Sequence, residues 1–376
     1  MMFTMIKKLA TDAPAVICSN SHSIFNYFGW PSVTRLPDGA LAMVTSGFRL
    51  DHICPFGKGV ISYSYDDGKS WTLPAVIFDT PLDDRDSGIT CFGEKSVIVT
   101  SFNNTLKQQH IWNDRTRSDA EAWQNKRKLI DAYLDCAEAQ GNEDQYLGST
   151  YRISNDGGYT FGPIRRVPVT APHGPARMND GTLIYVGRKF SSNNKFDPNE
   201  KHHLACYHLD LNGDYEFLSE IDNISVDGEM LESCEPHTIQ LPSGRILVHI
   251  RVQLRGSYFT VYQSESDDGG RTFTSPHALL DKKGGSPAHI LRCSDGLLIS
   301  VYGYREAPYG IRAMFSWDDG ETWDTDYVLS DDGLSGDLGY PASVELSDSR
   351  ILTVYYQNIG GECVIRQQVW DRPSKA

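Results

Sequence analysis

The stretch 231-LESCEPHTIQLPSGRILVHIR-251 predicts a β-hairpin that carries an acid and a base at the same end. Apolar and β-branched residues flank the segment PSG (242–244), which is typical of a tight turn between two paired strands. Reversal of the chain at this turn brings Glu235, at the start of the hairpin, next to Arg251, at its end. The stretch therefore predicts a pair of opposite charges at one edge of a sheet.

The same hairpin pattern recurs six times along the chain, which predicts a repetitive architecture. Each copy has a short apolar strand, a turn rich in Asp, Gly or Ser, and a β-branched strand. The copies are GWPSVTRLPDGALAMVTSG (29–47), RDSGITCFGEKSVIVTSFN (85–103), PHGPARMNDGTLIYVGRKF (172–190), EPHTIQLPSGRILVHIR (235–251), GSPAHILRCSDGLLISVYG (285–303) and GYPASVELSDSRILTVYYQ (339–357).

Four of the copies are followed by a second motif, S-x-D-x-G-x-x-(W/F), known as the Asp-box. It occurs as SYDDGKSW (64–71), SNDGGYTF (154–161), SDDGGRTF (266–273) and SWDDGETW (316–323), with LNGDYEF (211–217) as a decayed fifth copy. The Asp is expected to accept hydrogen bonds from turn amides, the Gly to adopt a positive φ, and the aromatic residue to pack between sheets. These residues are expected to fold a turn rather than to perform chemistry.

Two hairpin strands and two strands around each Asp-box make a four-stranded antiparallel blade. Six such blades in a ring make a β-propeller, so the sequence predicts an all-β, single-domain protein spanning residues 1–376. The strand around 15–18 is expected to complete the last blade. The segment at about 104–146 is predicted to be a helical insertion in blade two, because Ser118 and Glu121 form a capping box and Gly141 gives a stop.

The predicted helix runs from about Asp119 to Ala139 and lies on the face of the site. Three roles stay open for it: a lid, a subunit contact that would make an oligomer, or a helix that only packs on the rim.

Composition excludes several classes of partner. The net charge of −14 argues against nucleic acid and anionic membranes. The eight cysteines show no metal-ligand spacing, so neither a metal site nor another cofactor is expected. No apolar run matches a signal peptide or a membrane span, which predicts a cytoplasmic protein with free thiols; secretion after removal of a leader stays open.

Propeller topology places the first-strand starts, the second-strand ends and the second-to-third loops on one face, where propellers usually carry their sites. The residues expected on that face are Trp30, Asp51, Arg85, Asp86, His173, Arg188, Glu235, His237, Arg251, His289, Arg312 and Tyr340. A structural, hydrogen-bonded role is the alternative for each of the three histidines. A mutual ion pair on the rim is the alternative for Arg85 and Asp86.

The order of these residues, together with the Asp-boxes, resembles the sialidase (neuraminidase) superfamily over nearly the whole chain. The resemblance implies that Glu235 is the base, Tyr340 the nucleophile, and Asp51, in GFRLDHICPFGKG (47–59), the acid. It also implies that Arg251 and Arg312 bind a substrate carboxylate. A phenol nucleophile is the known exception among glycosidases, since a carboxylate would be repelled by an acidic sugar.

One departure from the sialidase pattern concerns the first arginine of the carboxylate-binding triad. This chain has FGWP at 28–31, which puts Gly29 where the arginine is expected. Arg188 lies as far after its turn glycine as Arg251 lies after its own, and could rebuild a different anion clamp. Trp30, Arg85, Asp86, Arg188 and the three histidines are therefore carried as further candidates for binding substrate.

The sequence predicts an exo-acting, retaining glycoside hydrolase for a terminal sialic acid or another acidic sugar, with carbohydrate as its partner. Two alternatives stay open. One is a propeller that binds glycan or protein without catalysis; the other is a lyase or hydrolase with one of the three histidines as base and Tyr340 as acid.

Overall fold

The computed structural model describes residues 7–115, 120–191, 200–253, 259–280, 285 and 287–373. These residues are organised almost entirely as antiparallel sheets. The chain begins with two short strands, β1 (Lys7–Lys8) and β2 (Ala15–Cys18), which join sheets formed much later in the sequence.

The first three sets of strands follow one another along the chain. Set one contains β3 (Tyr27–Arg35), β4 (Leu41–Arg49), β5 (Lys58–Ser64) and β6 (Ala75–Phe78). Set two contains β7 (Arg85–Phe92), β8 (Ser96–Phe102), β9 (Ser149–Ser154) and β10 (Arg165–Val167). Set three contains β11 (Val169–Thr170), β12 (Ala176–Arg177), β13 (Leu183–Lys189), β14 (Leu204–Leu209) and β15 (Tyr215–Ile221).

A two-stranded ribbon, β16 (Ser225–Val226) and β17 (Glu229–Met230), leads to three further sets. Set four contains β18 (Glu232–Gln240), β19 (Ile246–Gln253), β20 (Phe259–Ser266) and β21 (His277–Ala278). Set five contains β22 (Ala288–Arg292), β23 (Leu298–Tyr304), β24 (Gly310–Ser316) and β25 (Asp324–Ser330). Set six contains β26 (Leu338–Glu345), β27 (Ile351–Ile359) and β28 (Glu362–Trp370).

The N-terminal strands are shared between the last two sets. β1 pairs in parallel with β25, and β2 pairs antiparallel with β28. The expectation that residues 15–18 join the sheet of the last hairpin is confirmed by this pairing. A single parallel pair, Cys363 with Tyr27, also joins β28 to β3, so that sets one and six together with β2 form one eight-stranded sheet.

A cavity of about 570 Å³ is lined by one strand from each of the six sets. These innermost strands are β3, β7, β12, β18, β22 and β26. Apolar side chains fill the space between neighbouring sets; for example, Ile184 and Val186 of β13 pack in one buried cluster with Val248 and Ile250 of β19. The innermost cavity is thus surrounded by apolar layers between the sheets.

Helices interrupt set two between β8 and β9. They are α1 (Leu106–Arg115), α2 (Glu121–Gln140) and α3 (Glu143–Tyr146). The predicted capping box falls partly outside the described residues, but Gly141 ends α2 with a left-handed backbone, φ 63°, as a helix C-cap requires. Ile130 and Leu134 of α2 pack with Leu50 and Cys54, beyond the end of β4, in one buried cluster. None of the described helices is long and apolar enough to cross a membrane.

The four S-x-D-x-G-x-x-(W/F) turns follow β5, β9, β20 and β24, the third strand of their sets, and have the same hydrogen bonds. In the second of them, Asp156 accepts bonds from the backbone N–H of Thr160 at 2.9 Å and from its hydroxyl at 2.6 Å. The backbone N–H of Gly158, at φ 100°, donates to Ser154 Oγ at 2.8 Å. The aspartates therefore close the turns, as the motif predicts.

Candidate active site

Four side chains near the starts of innermost strands lie on left-handed backbone, which is rare for residues other than glycine. They are Trp30, Asp86, Glu235 and Tyr340, with φ values of 56°, 49°, 47° and 47°. In each case the pairing with the adjacent strand is interrupted at that residue. Such strain costs on the order of 1–3 kcal/mol per residue and is concentrated at functional sites.

Glu235, Tyr340 and Arg251 form one hydrogen-bonded cluster. The Tyr340 hydroxyl donates to Glu235 Oε1 at 2.7 Å. Arg251 Nη1 donates to Glu235 Oε2 at 2.5 Å and to the Tyr340 oxygen at 3.1 Å. The register of β18 and β19 places Arg251 opposite Cys234, next to Glu235, as the hairpin predicts.

The charges within this cluster are set by burial and by the arginine. Burial raises the pKa of Tyr340 well above its usual value, and the negative charge of Glu235 adds to this effect. Burial also opposes the ionisation of Glu235, but the charge of Arg251 and the hydrogen bonds from Arg251 and Tyr340 hold the pKa of Glu235 below its usual value. At neutral pH the cluster therefore contains a carboxylate that accepts the proton of an un-ionised phenol.

Glu235 and Arg251 line a cavity of about 160 Å³ together with Asp86 and Arg188. Arg188 is already paired: its Nη1 lies 2.9 Å from Oε1 of Glu232, which lines the same cavity. Trp30 borders the cluster from the other side, with its ring centroid 6.3 Å from that of Tyr340.

Asp86 and its neighbour Arg85 are buried but do not pair with each other. Arg85 donates to the side chain of Asn104 and lies 3.4 Å from Asp83. The Asp86 carboxyl has no hydrogen bond or ion pair to any described residue. Burial, and then the charge of Glu235, raise the pKa of Asp86 to about 7, although Arg85 and Arg49 act in the opposite direction.

A second polar cluster lies beside the first and centres on Asp337. Tyr27 donates to Asp337 Oδ1 at 2.9 Å, Tyr356 donates to it at 3.3 Å, and His52 Nδ1 lies 3.3 Å from it. Arg305 connects the two clusters, because its Nη2 donates to the Tyr356 hydroxyl at 3.4 Å while its guanidinium lies 5.5 Å from the Tyr340 ring centroid.

Asp51 does not line the Glu235 cavity. It lies on the loop after β4 and borders two other cavities, of about 300 and 320 Å³, beneath α1 and α2. Its Oδ1 accepts the backbone N–H of His52 at 2.7 Å, and the second cavity also contains Tyr27 and Asp337. Asp51 therefore lies near the Asp337 cluster and not in the Glu235 cavity.

Arg312 contacts backbone carbonyls rather than the Glu235–Tyr340 cluster. Its guanidinium donates to the oxygens of Ser330 at 2.6 Å, Pro308 at 3.0 Å and Ile311 at 3.2 Å. Burial lowers the pKa of this side chain. Arg305, and not Arg312, lies with Arg251 beside Tyr340 in the structure.

The three histidines lie together in the innermost cavity and not in the Glu235 cavity. The rings of His237 and His289 stack with centroids 4.3 Å apart, and His173 meets both edge-on. Burial lowers the pKa of all three, to about 3 for His289. Nδ1 of His237 accepts the backbone N–H of Ile290 at 2.9 Å, which is the structural role held open for it.

Sequence reasoning missed Arg305, Asp337, Tyr27 and the fully buried ion pair between Arg49 and Asp83, whose Nη1 and Oδ1 lie 2.6 Å apart. The position of an arginine near the end of a second strand was a signal in the sequence. Arg49 ends β4 and Arg305 directly follows β23, and both strands are the second strand of their set. Arg251 lies near the end of β19, which is also a second strand. No such signal exists for Asp337 and Tyr27, whose contact joins residues far apart in the sequence.

Solved structures of similar shape include sialidases. A sialidase from Streptococcus pneumoniae aligns with 98% of this chain and 70% of its own, at 12% identity and a TM-score of 0.63. An α-L-arabinanase from Penicillium chrysogenum aligns over 96% and 98%, at 13% identity and 0.60. A protein of unknown function from Dyadobacter fermentans aligns over 97% and 99%, at 20% identity and 0.72.

These likenesses define the class: an all-β protein with the β-propeller fold of sialidases. The match to the BNR repeat-like domain family covers residues 133–353, and the chain belongs to that family. No match was found among curated proteins.

Proposed function

We propose that this protein is an exo-acting glycoside hydrolase that removes a terminal sialic acid or another acidic sugar, with retention of configuration. The observation that carries the proposal is the hydrogen bond of 2.7 Å between the Tyr340 hydroxyl and Glu235, held on its other side by Arg251. A phenol is a weak nucleophile until a base takes its proton, and Glu235 is placed to do so.

In the proposed reaction, the Tyr340 oxygen attacks the anomeric carbon while its proton passes to Glu235. The leaving oxygen takes a proton from an acid, and a glycosyl–tyrosine intermediate forms. Water then attacks the same carbon, and Tyr340 recovers its proton from Glu235. Arg251 keeps Glu235 ionised before the attack, since its charge and its hydrogen bond favour the carboxylate.

An acidic substrate is supported by the guanidinium groups beside Tyr340. Arg305 has no carboxylate within ion-pair distance among the described residues, and it lies over both the Tyr340 and Phe259 rings. We propose Arg305 with Arg251 as the anion clamp, in place of Arg312. Gly29 occupies the position of the missing arginine, and its nearest side chains are Tyr27 and Tyr356. Substrate contacts at this position would therefore come from phenol groups. This difference would shift specificity away from ordinary sialosides.

A closed ring of six blades is proposed as the scaffold of this site. It is supported by the cavity that one strand of every set lines, and by the single parallel pair that joins set six to set one. The helices between β8 and β9 would then be an insertion in blade two. A crystal structure with six blades around the cavity would test the assignment, and any other blade number would contradict it.

The test of the proposed reaction is hydrolysis of a panel of aryl glycosides, including sialosides and uronides, by wild type and by Tyr340→Phe. We expect the variant to lose about three orders of magnitude or more in kcat/KM. Tyr355→Phe is the matched control, because Tyr355 is a fully buried phenol that bonds Gln368 at 3.0 Å, outside the site. Both variants should have similar melting temperatures, and only the control should stay active.

Mass spectrometry of an acid-quenched reaction should locate one sugar residue on the peptide that contains Tyr340. Absence of hydrolysis across the whole panel would contradict the enzyme assignment. Binding of an acidic sugar without turnover, measured by calorimetry with product analysis of the same sample, would instead favour a non-catalytic carbohydrate-binding propeller.

A further inference from the structure

Asp86 occupies the same structural position in set two as Glu235 in set four and Tyr340 in set six. All three lie on left-handed backbone near the start of an innermost strand, where pairing with the adjacent strand is interrupted. Asp86 and Glu235 also line the same cavity of about 160 Å³. The repeated geometry therefore presents three chemically active groups, a phenol and two carboxyls, near the starts of three innermost strands.

The Asp86 carboxyl differs from the buried acids around it because no described residue forms a hydrogen bond or ion pair with it. Asp84 accepts the backbone N–H and the hydroxyl of Thr80 at 2.8 and 2.9 Å, and Asp83 is paired with Arg49. Asp86 is 8% exposed and, among the described residues, has no hydrogen bond or ion pair. A buried polar group without a partner is costly and needs an explanation.

The groups that face Asp86 favour its protonated form. Burial and the negative charges of Glu235 and Asp83 raise its pKa, whereas Arg85 and Arg49 lower it, and the balance lies at about 7. Across the cavity, Arg251 is paired with Glu235 and Arg188 with Glu232. Asp86 is thus a buried carboxyl whose raised pKa lets it hold its proton at a higher pH than an ordinary aspartate, and it opens onto the cavity of the base, as a general acid must.

We infer that Asp86, and not Asp51, donates the proton to the leaving group; this inference rests on the glycosidase function proposed above. The Asp86 proton passes to the glycosidic oxygen as the bond to the anomeric carbon breaks and its electron pair stays on that oxygen. The alcohol leaves, and Asp86 is a carboxylate. It then takes a proton from the attacking water, so that sugar and alcohol are released and Asp86 is again protonated.

Leaving groups of different acidity test this role. A 2,4-dinitrophenyl glycoside needs no proton on departure, whereas a phenyl or alkyl glycoside does. For Asp86→Asn we expect kcat/KM, which reports only the steps up to departure of the leaving group, to stay within about tenfold of wild type on the dinitrophenyl substrate. On the other substrates it should fall by about 10²–10⁴-fold. The high-pH decline of kcat/KM should disappear in the variant. Asp51→Asn is the comparison variant and should show no loss that is selective for the poor leaving group. Asp268→Asn, in an exposed turn outside these cavities, is the control and should behave as wild type on both substrates.

Asp86→Glu retains a carboxyl and should recover part of the activity on the phenyl substrate. This variant also tests the inference if Asp86→Asn does not fold. An equal loss on both substrates would overturn the inference, because it would show that Asp86 only binds a sugar hydroxyl. A loss by Asp51→Asn that is selective for the poor leaving group would overturn it as well. Failure of wild type to cleave even the dinitrophenyl glycoside would instead refute the proposed function itself.

Discussion

At the scale of single residues, the candidate site is built from side chains held in an unfavourable backbone conformation. Left-handed backbone disfavours residues with a Cβ, yet Trp30, Asp86, Glu235 and Tyr340 all adopt it. Gly174, with φ 83° and a following proline, corresponds to them in the third hairpin. The surrounding sheets must therefore supply the energy that keeps these four side chains in place.

Asp86→Asn is expected to stabilise the protein increasingly as pH rises. An aspartate has a pKa of about 3.9 when unfolded, whereas that of Asp86 is about 7 in the fold. The folded state holds the extra proton between these values, so wild type loses stability as pH rises from about 4 to 7. Above pH 7 the penalty is on the order of 2–4 kcal/mol, and the variant lacks it.

Urea unfolding of wild type and Asp86→Asn at pH 5 and pH 8 measures this difference. Asp268→Asn serves as the control, because hydrogen bonds from the Thr272 hydroxyl and backbone lower the pKa of Asp268 to about 2, so its effect should not change between these pH values. A gap between Asp86→Asn and wild type that stays constant from pH 5 to pH 8 would contradict the prediction.

At the scale of the hairpin, sequence predicts well what local geometry controls. The turn PSG and the alternating strands were enough to place Glu235 beside Arg251, because a two-stranded register fixes which residues lie opposite each other. The S-x-D-x-G-x-x-(W/F) turns are equally local, since each is closed by bonds within a few residues.

Sequence predicts poorly which side chains meet across the sheets. Arg312 has the spacing expected of an anion ligand, but buried backbone carbonyls at Ser330 and Pro308 take up its donors. Asp51 lies on a loop whose course depends on the helices packed above it, which no repeat pattern specifies. These assignments depend on tertiary packing, and periodicity carries no information about it.

The third S-x-D-x-G-x-x-(W/F) turn offers a prediction at this scale. Asp268→Ala is expected to lower the free energy of unfolding by roughly 1–2 kcal/mol, because Asp268 accepts bonds from Thr272 N at 2.9 Å, Arg271 N at 3.0 Å and two hydroxyls. Water replaces part of this loss, since the turn is exposed.

Asp267→Ala is the matched control for Asp268→Ala. Asp267 precedes Asp268 in the same turn and, among the described residues, lies near a charge only at Arg245, 3.9 Å away. Chemical unfolding should separate the two variants. Equal stabilities would show that the aspartate of the motif does not hold the turn.

At the scale of the whole molecule, the N-terminal segment links the last two sets of strands. β1 extends the edge of set five and β2 covers the edge strand of set six. Arg350 adds an ion pair to Asp12 at 3.0 Å, and Thr11 bridges to Trp370. Sets five and six are therefore tied by a stretch that precedes both in the sequence.

Deletion of residues 1–18 is expected to lower the melting temperature by several degrees, because it exposes the edge of β28 and removes Cys18 from the core shared by sets one and six. Deletion of residues 1–8, which removes β1 and keeps β2, is the comparison and should have the smaller effect. Thermal unfolding and light scattering of both truncations measure stability and aggregation. Unchanged behaviour of the longer truncation would refute a stabilising role for β2.

The pairing of β2 with β28 also has a consequence for how the protein is made. β2 leaves the ribosome long before β28 exists, so its hydrogen-bonding edge stays without its partner while all the intervening sheets are synthesised. Contacts of such large sequence separation form slowly, and unpaired edges attract other chains in the meantime. The yield of folded protein should therefore depend on factors that cover the nascent N-terminal segment. Slower translation should extend the time for which this segment is exposed.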